Sequence, residues 1–347
     1  MAGVANKSRG RARYRWLPPA PGRFTIRHRQ LVVIALLALG VLALPGSLFS
    51  PSGSLVARSS PAGSTQAPAR YLLALGDSLA AGYQPLDGVF PPPVDPSTGY
   101  PDQGYPGGYA ADLASARHLS LTDLACPGET TVSMTASPAK AQCAQVYRTE
   151  FGASSQLAAA LSFLSAHKKE VSLVTIDLGA NDIESCAASG SPNATCLSKG
   201  AVRTARLLPA ILSKLTQALA RDDPGTGLVG MNYYDPFLGL EFRPGGPKPT
   251  AAALLSLVLL EGYNRELTSI YHHDHVPVAD VASAFESGRA VPLTQYGSKP
   301  LPRDVALVCR WTWMCPVSPA VYSPDIHANT AGYSVIASAF ETILGHS

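Results

Sequence analysis

From Tyr71 onward the chain alternates short apolar runs with longer stretches whose apolar residues recur at helical spacing. Tyr71–Leu75 reads as a buried strand stopped by Gly76-Asp77-Ser78. A Pro/Gly/Tyr-rich loop over about Gln84–Gly107 leads to a short helix near Tyr109–Arg117 and a second strand over Leu119–Leu124. A helix over Ser154–His167 precedes the strand Val171–Leu178, and an amphipathic helix over 201–221 precedes the strand Gly227–Tyr233. A helix over 250–272, a strand over Val276–Val281 and a closing helix over Ala331–Leu344 complete the pattern. Strands separated by helical crossovers imply a parallel sheet covered on both faces. Such sheets carry their sites beyond the C-terminal ends of the strands.

The N-terminal part follows a different rule. Residues 1–30 hold eight of the 27 Lys and Arg residues and none of the 24 acids. The other 317 residues therefore carry 19 bases against 24 acids, or −5, although the whole chain is formally +3. A mildly acidic body gives no electrostatic footprint for nucleic acid. Leu31–Phe49 has no charged residue, and nineteen helical residues rise about 28 Å, close to a bilayer's hydrocarbon thickness. Arginines before such a run leave the N-terminus in the cytoplasm and send the remainder across. The expected layout is a basic leader at 1–30, a signal anchor or a cleaved signal-peptide core at 31–49, a Ser/Pro/Ala/Gly linker at 50–69 and one catalytic-sized domain at 70–347.

Six cysteines, Cys126, Cys143, Cys186, Cys196, Cys309 and Cys315, all lie after the apolar segment. An even set in an exported chain reads as disulfides, and six cysteines allow 15 pairings. The short separations favour neighbours: Cys126–Cys143, Cys186–Cys196 and Cys309–Cys315. No C-x-x-C pair supports a metal site instead.

Four short motifs carry candidate chemistry. Gly76-Asp77-Ser78-Leu79 ends the first strand and exposes a serine at the sheet's active edge. Ala125-Cys126-Pro127-Gly128-Glu129-Thr130 follows the second, where Gly128 can bring its N–H close to a developing oxyanion. Gly179-Ala180-Asn181-Asp182 follows the third, and the Asn181 amide can donate to the same oxygen, although asparagine also caps helices. Asp325-Ile326-His327 precedes the closing helix and offers a base with a carboxylate to orient it. Each motif alone has an ordinary structural explanation as a turn, a cap or a surface histidine. The cluster His272, His273 and His275 reads as solvated.

Taken together and in this order, the motifs resemble those of the SGNH/GDSL hydrolase superfamily, and within it the secreted actinobacterial esterases and lipases with three disulfides. The resemblance runs from about Tyr71 to the C-terminus. It implies a flavodoxin-like α/β/α sandwich with about five parallel strands. It also implies Ser78 as nucleophile, an oxyanion hole formed by Ser78 N–H, Gly128 N–H and the Asn181 side chain, and His327 as base. In one respect the chain departs from the pattern: the family's aspartate stands three residues before the histidine, where this sequence has Pro324, and Asp325 stands two before. Either the Asp325 carboxylate still reaches the ring or a backbone carbonyl orients His327. An α/β-hydrolase is excluded by the missing G-x-S-x-G, since Ala80 stands two after Ser78.

The resulting expectation is an extracytoplasmic, monomeric esterase or lipase acting on carboxylic esters without a metal or organic cofactor, and held at the membrane through 31–49 if that segment is uncut. A carbohydrate O-acetyl esterase and a membrane-anchored binding protein with a vestigial site are the alternatives. Tyr233, Tyr234, Phe237, Trp311 and Trp313 are either an acyl pocket or core aromatics. The run Ala252–Leu260 is expected to pack on the sheet, with coverage of an acyl channel as the other reading.

Overall fold

The computed structural model describes residues 70–84, 107–136, 141–184, 186, 193–242, 250–315 and 325–345. The leader at 1–30, the apolar segment at 31–49, the linker at 50–69 and most of the Pro/Gly/Tyr-rich loop lie outside these residues. Among the described residues no helix is long and apolar enough to cross a membrane.

Strand β1 (Tyr71–Gly76) is followed by helix α1 (Tyr109–Ala116), strand β2 (Ser120–Asp123), helices α2 (Ala141–Phe151) and α3 (Gln156–Ala166) and strand β3 (Val171–Asp177). Next come α4 (Ala180–Glu184), α5 (Ala194–Asp222), β4 (Gly227–Met231), α6 (Thr250–His273), β5 (Val278–Ala279) and α7 (Val281–Ala284). A small antiparallel hairpin, β6 (Thr294–Tyr296) and β7 (Lys299–Leu301), leads into α8 (Arg303–Trp311) and α9 (Thr330–Leu344). The five main strands form one parallel sheet in the order β2-β1-β3-β4-β5. Helices flank it: α1 packs on β1 and β2 and against α9, α9 also meets β5, and α3, α5 and α6 pack in series. This is the α/β architecture implied by the alternation of strand and helix.

Strand β1 reads as an unbroken apolar run because both of its faces are covered. Leu72, Leu73, Ala74 and Leu75 of β1 are all fully buried. Tyr109 of α1 stacks on Phe340 of α9, with ring centroids 4.9 Å apart, closing one face. On α5, Leu208, Ile211, Leu212 and Leu215 recur at helical spacing and are all fully buried.

Two elements differ from the sequence expectation. Helix α5 starts about two turns earlier than 201, at Ala194, capped by Asn193, whose side chain accepts the Cys196 N–H. Those first turns line a cavity instead of the sheet, so they carry no long apolar stripe for periodicity to detect. Strand β5 is only two residues long because Asp280 turns the chain, accepting Ser283 N–H as the cap of α7. The hairpin, α8, Leu238 and Ala253 share a small second apolar cluster beside the main core.

Disulfides join Cys126–Cys143, Cys186–Cys196 and Cys309–Cys315, with Cα–Cα distances of 6.1, 5.5 and 4.9 Å. His272, His273 and His275 are exposed.

Candidate active site

Because β2, β1 and β3 are adjacent in the sheet, the loops after their C-terminal ends are neighbours too. The Ser78 turn follows β1 in the middle, the Gly128 loop follows β2 on one side, and Asn181 follows β3 on the other. Crossover topology thus brings three sequence-distant motifs to one edge.

The Ser78 turn is held tightly. Gly76 adopts φ 130°, and a Cβ there would run into the side-chain and carbonyl oxygens of Asp177. Gln156 clamps the same residue from α3: Gly76 N–H donates to its Oε1 at 2.7 Å, and its Nε2 donates to the Gly76 carbonyl at 2.9 Å. Asp77 N–H donates to Asp177 Oδ1 at 2.8 Å, and Asp77 Oδ1 accepts Leu79 N–H at 2.9 Å. Burial pushes the Asp77 carboxyl up to about 7, against the hydrogen bond from Leu79. Burial likewise holds Asp177 well above the carboxylate range, assisted by the neighbouring Asp77.

His327 Nε2 stands 2.7 Å from Ser78 Oγ. On the other side of the ring, Nδ1 stands 2.6 Å from Asp325 Oδ1, and the same oxygen accepts the His327 backbone N–H at 2.9 Å. The two-residue spacing therefore does bring the carboxylate to the imidazole, while Pro324 lies outside the described residues. Burial raises the Asp325 carboxyl, but its hydrogen bond to His327 and the charge on that ring outweigh burial and hold it below the ordinary value. Tyr83 packs on the imidazole with ring centroids 4.3 Å apart.

The segment bearing His327 is itself pinned. Trp313 N–H donates to the His327 carbonyl, Asp325 N–H to the Trp313 carbonyl and Asn329 N–H to the Trp311 carbonyl, at 2.9 to 3.1 Å. Tyr234 adds a hydroxyl donation to the Ile326 carbonyl at 2.7 Å. A family model, that of the GDSL-like Lipase/Acylhydrolase family, matches residues 74–335, about three-quarters of the chain and all four motifs.

The chain belongs to this family. Solved structures similar to this GDSL-like hydrolase include phospholipase A1 from Streptomyces albidoflavus NA297, at 19% identity and TM-score 0.44, covering 79% of this chain and 99% of that one. They also include an extracellular lipase from Streptomyces rimosus, at 18% identity and TM-score 0.46, again covering 79% and 99%. A third, the lipase Lip_vut3 from a goat rumen metagenome, is 15% identical with TM-score 0.43, covering 79% of this chain and 96% of that one. No curated protein matches the chain.

Beside Ser78 the hydrolase has a cavity of about 390 Å³, within the usual range for small-molecule sites. Ser78, Asn181 and His327 all line it; Gly128 is not among its lining residues. Gly128 adopts φ 75°, the left-handed region that glycine enters without steric cost. The walls are apolar, built from Ile183, Leu197, Tyr233, Tyr234, Phe237 and Leu260 among others.

The aromatic candidates divide. Tyr233, Tyr234 and Phe237 line the cavity, whereas Trp311 packs edge-on against Phe285 at 5.3 Å and Trp313 Nε1 donates to Gln84 Oε1 at 3.4 Å. The run Ala252–Leu260 does not simply pack on the sheet: Ser256, Leu259 and Leu260 face the cavity, and Leu254, Leu255 and Val258 are exposed. The cavity takes Leu259 and Leu260 and the second core cluster takes Ala253 and Leu257, a pattern that leucine periodicity alone does not distinguish from a sheet-facing stripe.

Sequence reasoning missed Gln156, Tyr83, Thr131 and Glu184. Gln156 opens an alanine-rich helix and carries no motif, and Tyr83 sits in a turn with no periodic signal. Glu184 follows the Asn181 motif by one helical turn, a spacing that could have drawn attention to it.

Proposed function

We propose that this hydrolase is a serine esterase or lipase that cleaves carboxylic esters outside the cytoplasm by two-step acyl transfer. The observation that carries the reading is the relay from Ser78 Oγ through the His327 ring to Asp325 Oδ1, at 2.7 and 2.6 Å, opening on an apolar cavity. His327 takes the Ser78 proton as Oγ attacks the ester carbonyl, and Asp325 keeps Nδ1 protonated and stabilises the imidazolium. Ser78 N–H, Gly128 N–H and the Asn181 amide hold the tetrahedral oxyanion. His327 then protonates the leaving alcohol, and a water activated by the same nitrogen releases the acid and restores Ser78.

The apolar walls favour an aliphatic acyl group over acetate on a sugar. A polyhydroxylated ring would leave its hydroxyls without partners on such walls. Three disulfides after an arginine-led apolar segment support an oxidising compartment. On this reading the 31–49 segment either anchors the enzyme or is cut, and the enzyme works as a monomer.

The test is hydrolysis of p-nitrophenyl esters from acetate to palmitate by the full chain, with Ser78→Ala as the control. Turnover of an ester longer than acetate that disappears in Ser78→Ala supports the assignment. Equal turnover in the control, or no turnover of any ester by folded protein, overturns it.

A further inference from the structure

The cavity beside Ser78 is apolar, and apart from His327 its titratable acid–base side chains other than tyrosine are all carboxylates. Besides Asp77 and His327, already bound into the Ser78 turn and the relay, they are Glu184 and Glu266, and among the described lining residues there is no Lys or Arg. Glu184 stands three residues after Asn181 on α4, so the two share one helix face, and both line the cavity. Glu184 is half-buried; burial raises its carboxyl, the His327 ring favours its charge and Asp325 opposes it. Glu266 is exposed on α6. One acid thus stands next to the proposed oxyanion donor and a second stands at the solvent side of the same space.

Resting on the esterase reading above, we propose that the site selects its esters by charge, and that Glu184 is the specificity-determining residue: it admits neutral or cationic esters and rejects anionic ones. An anionic group brought into this cavity meets a carboxylate in surroundings too apolar to screen the repulsion and finds no Lys or Arg to pair with. An ammonium group there gains a carboxylate partner instead. A neutral aliphatic ester loses nothing. The substrate class is therefore an aliphatic ester of an uncharged or amine-bearing alcohol, and not a phosphate-bearing or carboxylate-bearing one.

Three butyrate esters with alcohols of similar size separate these cases: choline (+1), 3,3-dimethylbutanol (0) and 2-hydroxyethanesulfonate (−1). The full chain is assayed with each at pH 8, and kcat/KM is compared within each protein so that a general loss of activity cancels. The expected order is choline and dimethylbutyl esters together above the sulfonate ester by at least tenfold, with Glu184→Gln shrinking that gap to about threefold or less. Glu184→Ala should shrink the gap in the same way, which keeps the proposal testable if Glu184→Gln fails to fold. Hydrolysis of the sulfonate ester as fast as the dimethylbutyl ester overturns the proposal and leaves the esterase reading standing. So does a gap that Glu184→Gln leaves unchanged. Hydrolysis of none of the three by folded protein overturns the esterase reading, and this inference with it.

Discussion

Asp182 holds Thr131 by two hydrogen bonds of 2.8 Å: Thr131 N–H donates to Oδ2 and the Thr131 hydroxyl to Oδ1. Both residues are buried, and Arg203 Nη1 stands 3.8 Å from the same carboxylate. Asp182 directly follows Asn181, and Thr131 is three residues after Gly128, so this pair ties α4 to the loop after β2, the two segments that carry proposed oxyanion donors. Asp182→Asn turns one acceptor into a donor facing a donor. Misplacing a donor by about an ångström can cost up to roughly a hundredfold in rate. The expected result is a kcat lower by about tenfold to a hundredfold, with KM for p-nitrophenyl butyrate little changed. Thr131→Val should do the same, and the double variant should be no worse than the poorer single one. Additive losses would show that the two residues act independently.

The contact between Asp325 and His327 makes a separate prediction. Asp325→Asn keeps the size of the side chain but no longer favours the useful ring tautomer, so kcat should fall roughly a thousandfold to ten-thousandfold in a folded protein. A loss of tenfold or less would mean that a backbone carbonyl does the orienting.

Stability should depend on pH through Asp123, which ends β2 and is 3% exposed. One oxygen accepts Ala125 N–H at 2.9 Å, and the other has no hydrogen-bond partner among the described residues. Burial pushes this carboxyl up to about 8 despite the Ala125 bond, against about 3.9 in an unfolded chain. Between those values the folded protein holds a proton that the unfolded chain has released, so stability falls as pH rises from about 4 to about 8. Asp123→Asn keeps the acceptor and removes the titration. Thermal melts should place the variant above the wild type at pH 8, with the advantage gone near pH 4. Asp77, raised to about 7, contributes with the same sign and remains in the variant, so the pH slope should shrink without vanishing.

The disulfides should separate stability from activity. Closure of the 17-residue Cys126–Cys143 loop contributes about 3 kcal/mol by chain entropy, and the six-residue Cys309–Cys315 loop about 2 kcal/mol. The shorter loop, however, encloses Trp313, whose backbone pairs with the His327 segment. Replacing Cys126 and Cys143 with Ser should cost more in urea unfolding, and replacing Cys309 and Cys315 should cost more in kcat. The reverse ranking in both measurements would contradict this division.

Much of the site was legible in the chain. Ser78, Asn181 and Gly128 each follow an apolar run short enough to be a strand, and parallel crossovers deliver such loops to one edge whatever the details of packing. The histidine was legible because it precedes an amphipathic closing helix. Strand and helix periodicity are local properties, decided within about ten residues, so they survive reading without coordinates.

Only the tertiary structure decided what joins these pieces. That the Asp325 carboxylate reaches His327 in spite of the altered spacing depends on backbone pairing between 311–313 and 325–329. The grip of Asp182 on Thr131 spans 51 residues of sequence, and the clamp of Gln156 on Gly76 spans 80. The cavity is assembled from α4, α5 and α6 with the loop after β4, and its acidic character comes from two glutamates 82 residues apart. Contacts of this kind depend on which side chains meet across packed elements, and no local period along the chain records that.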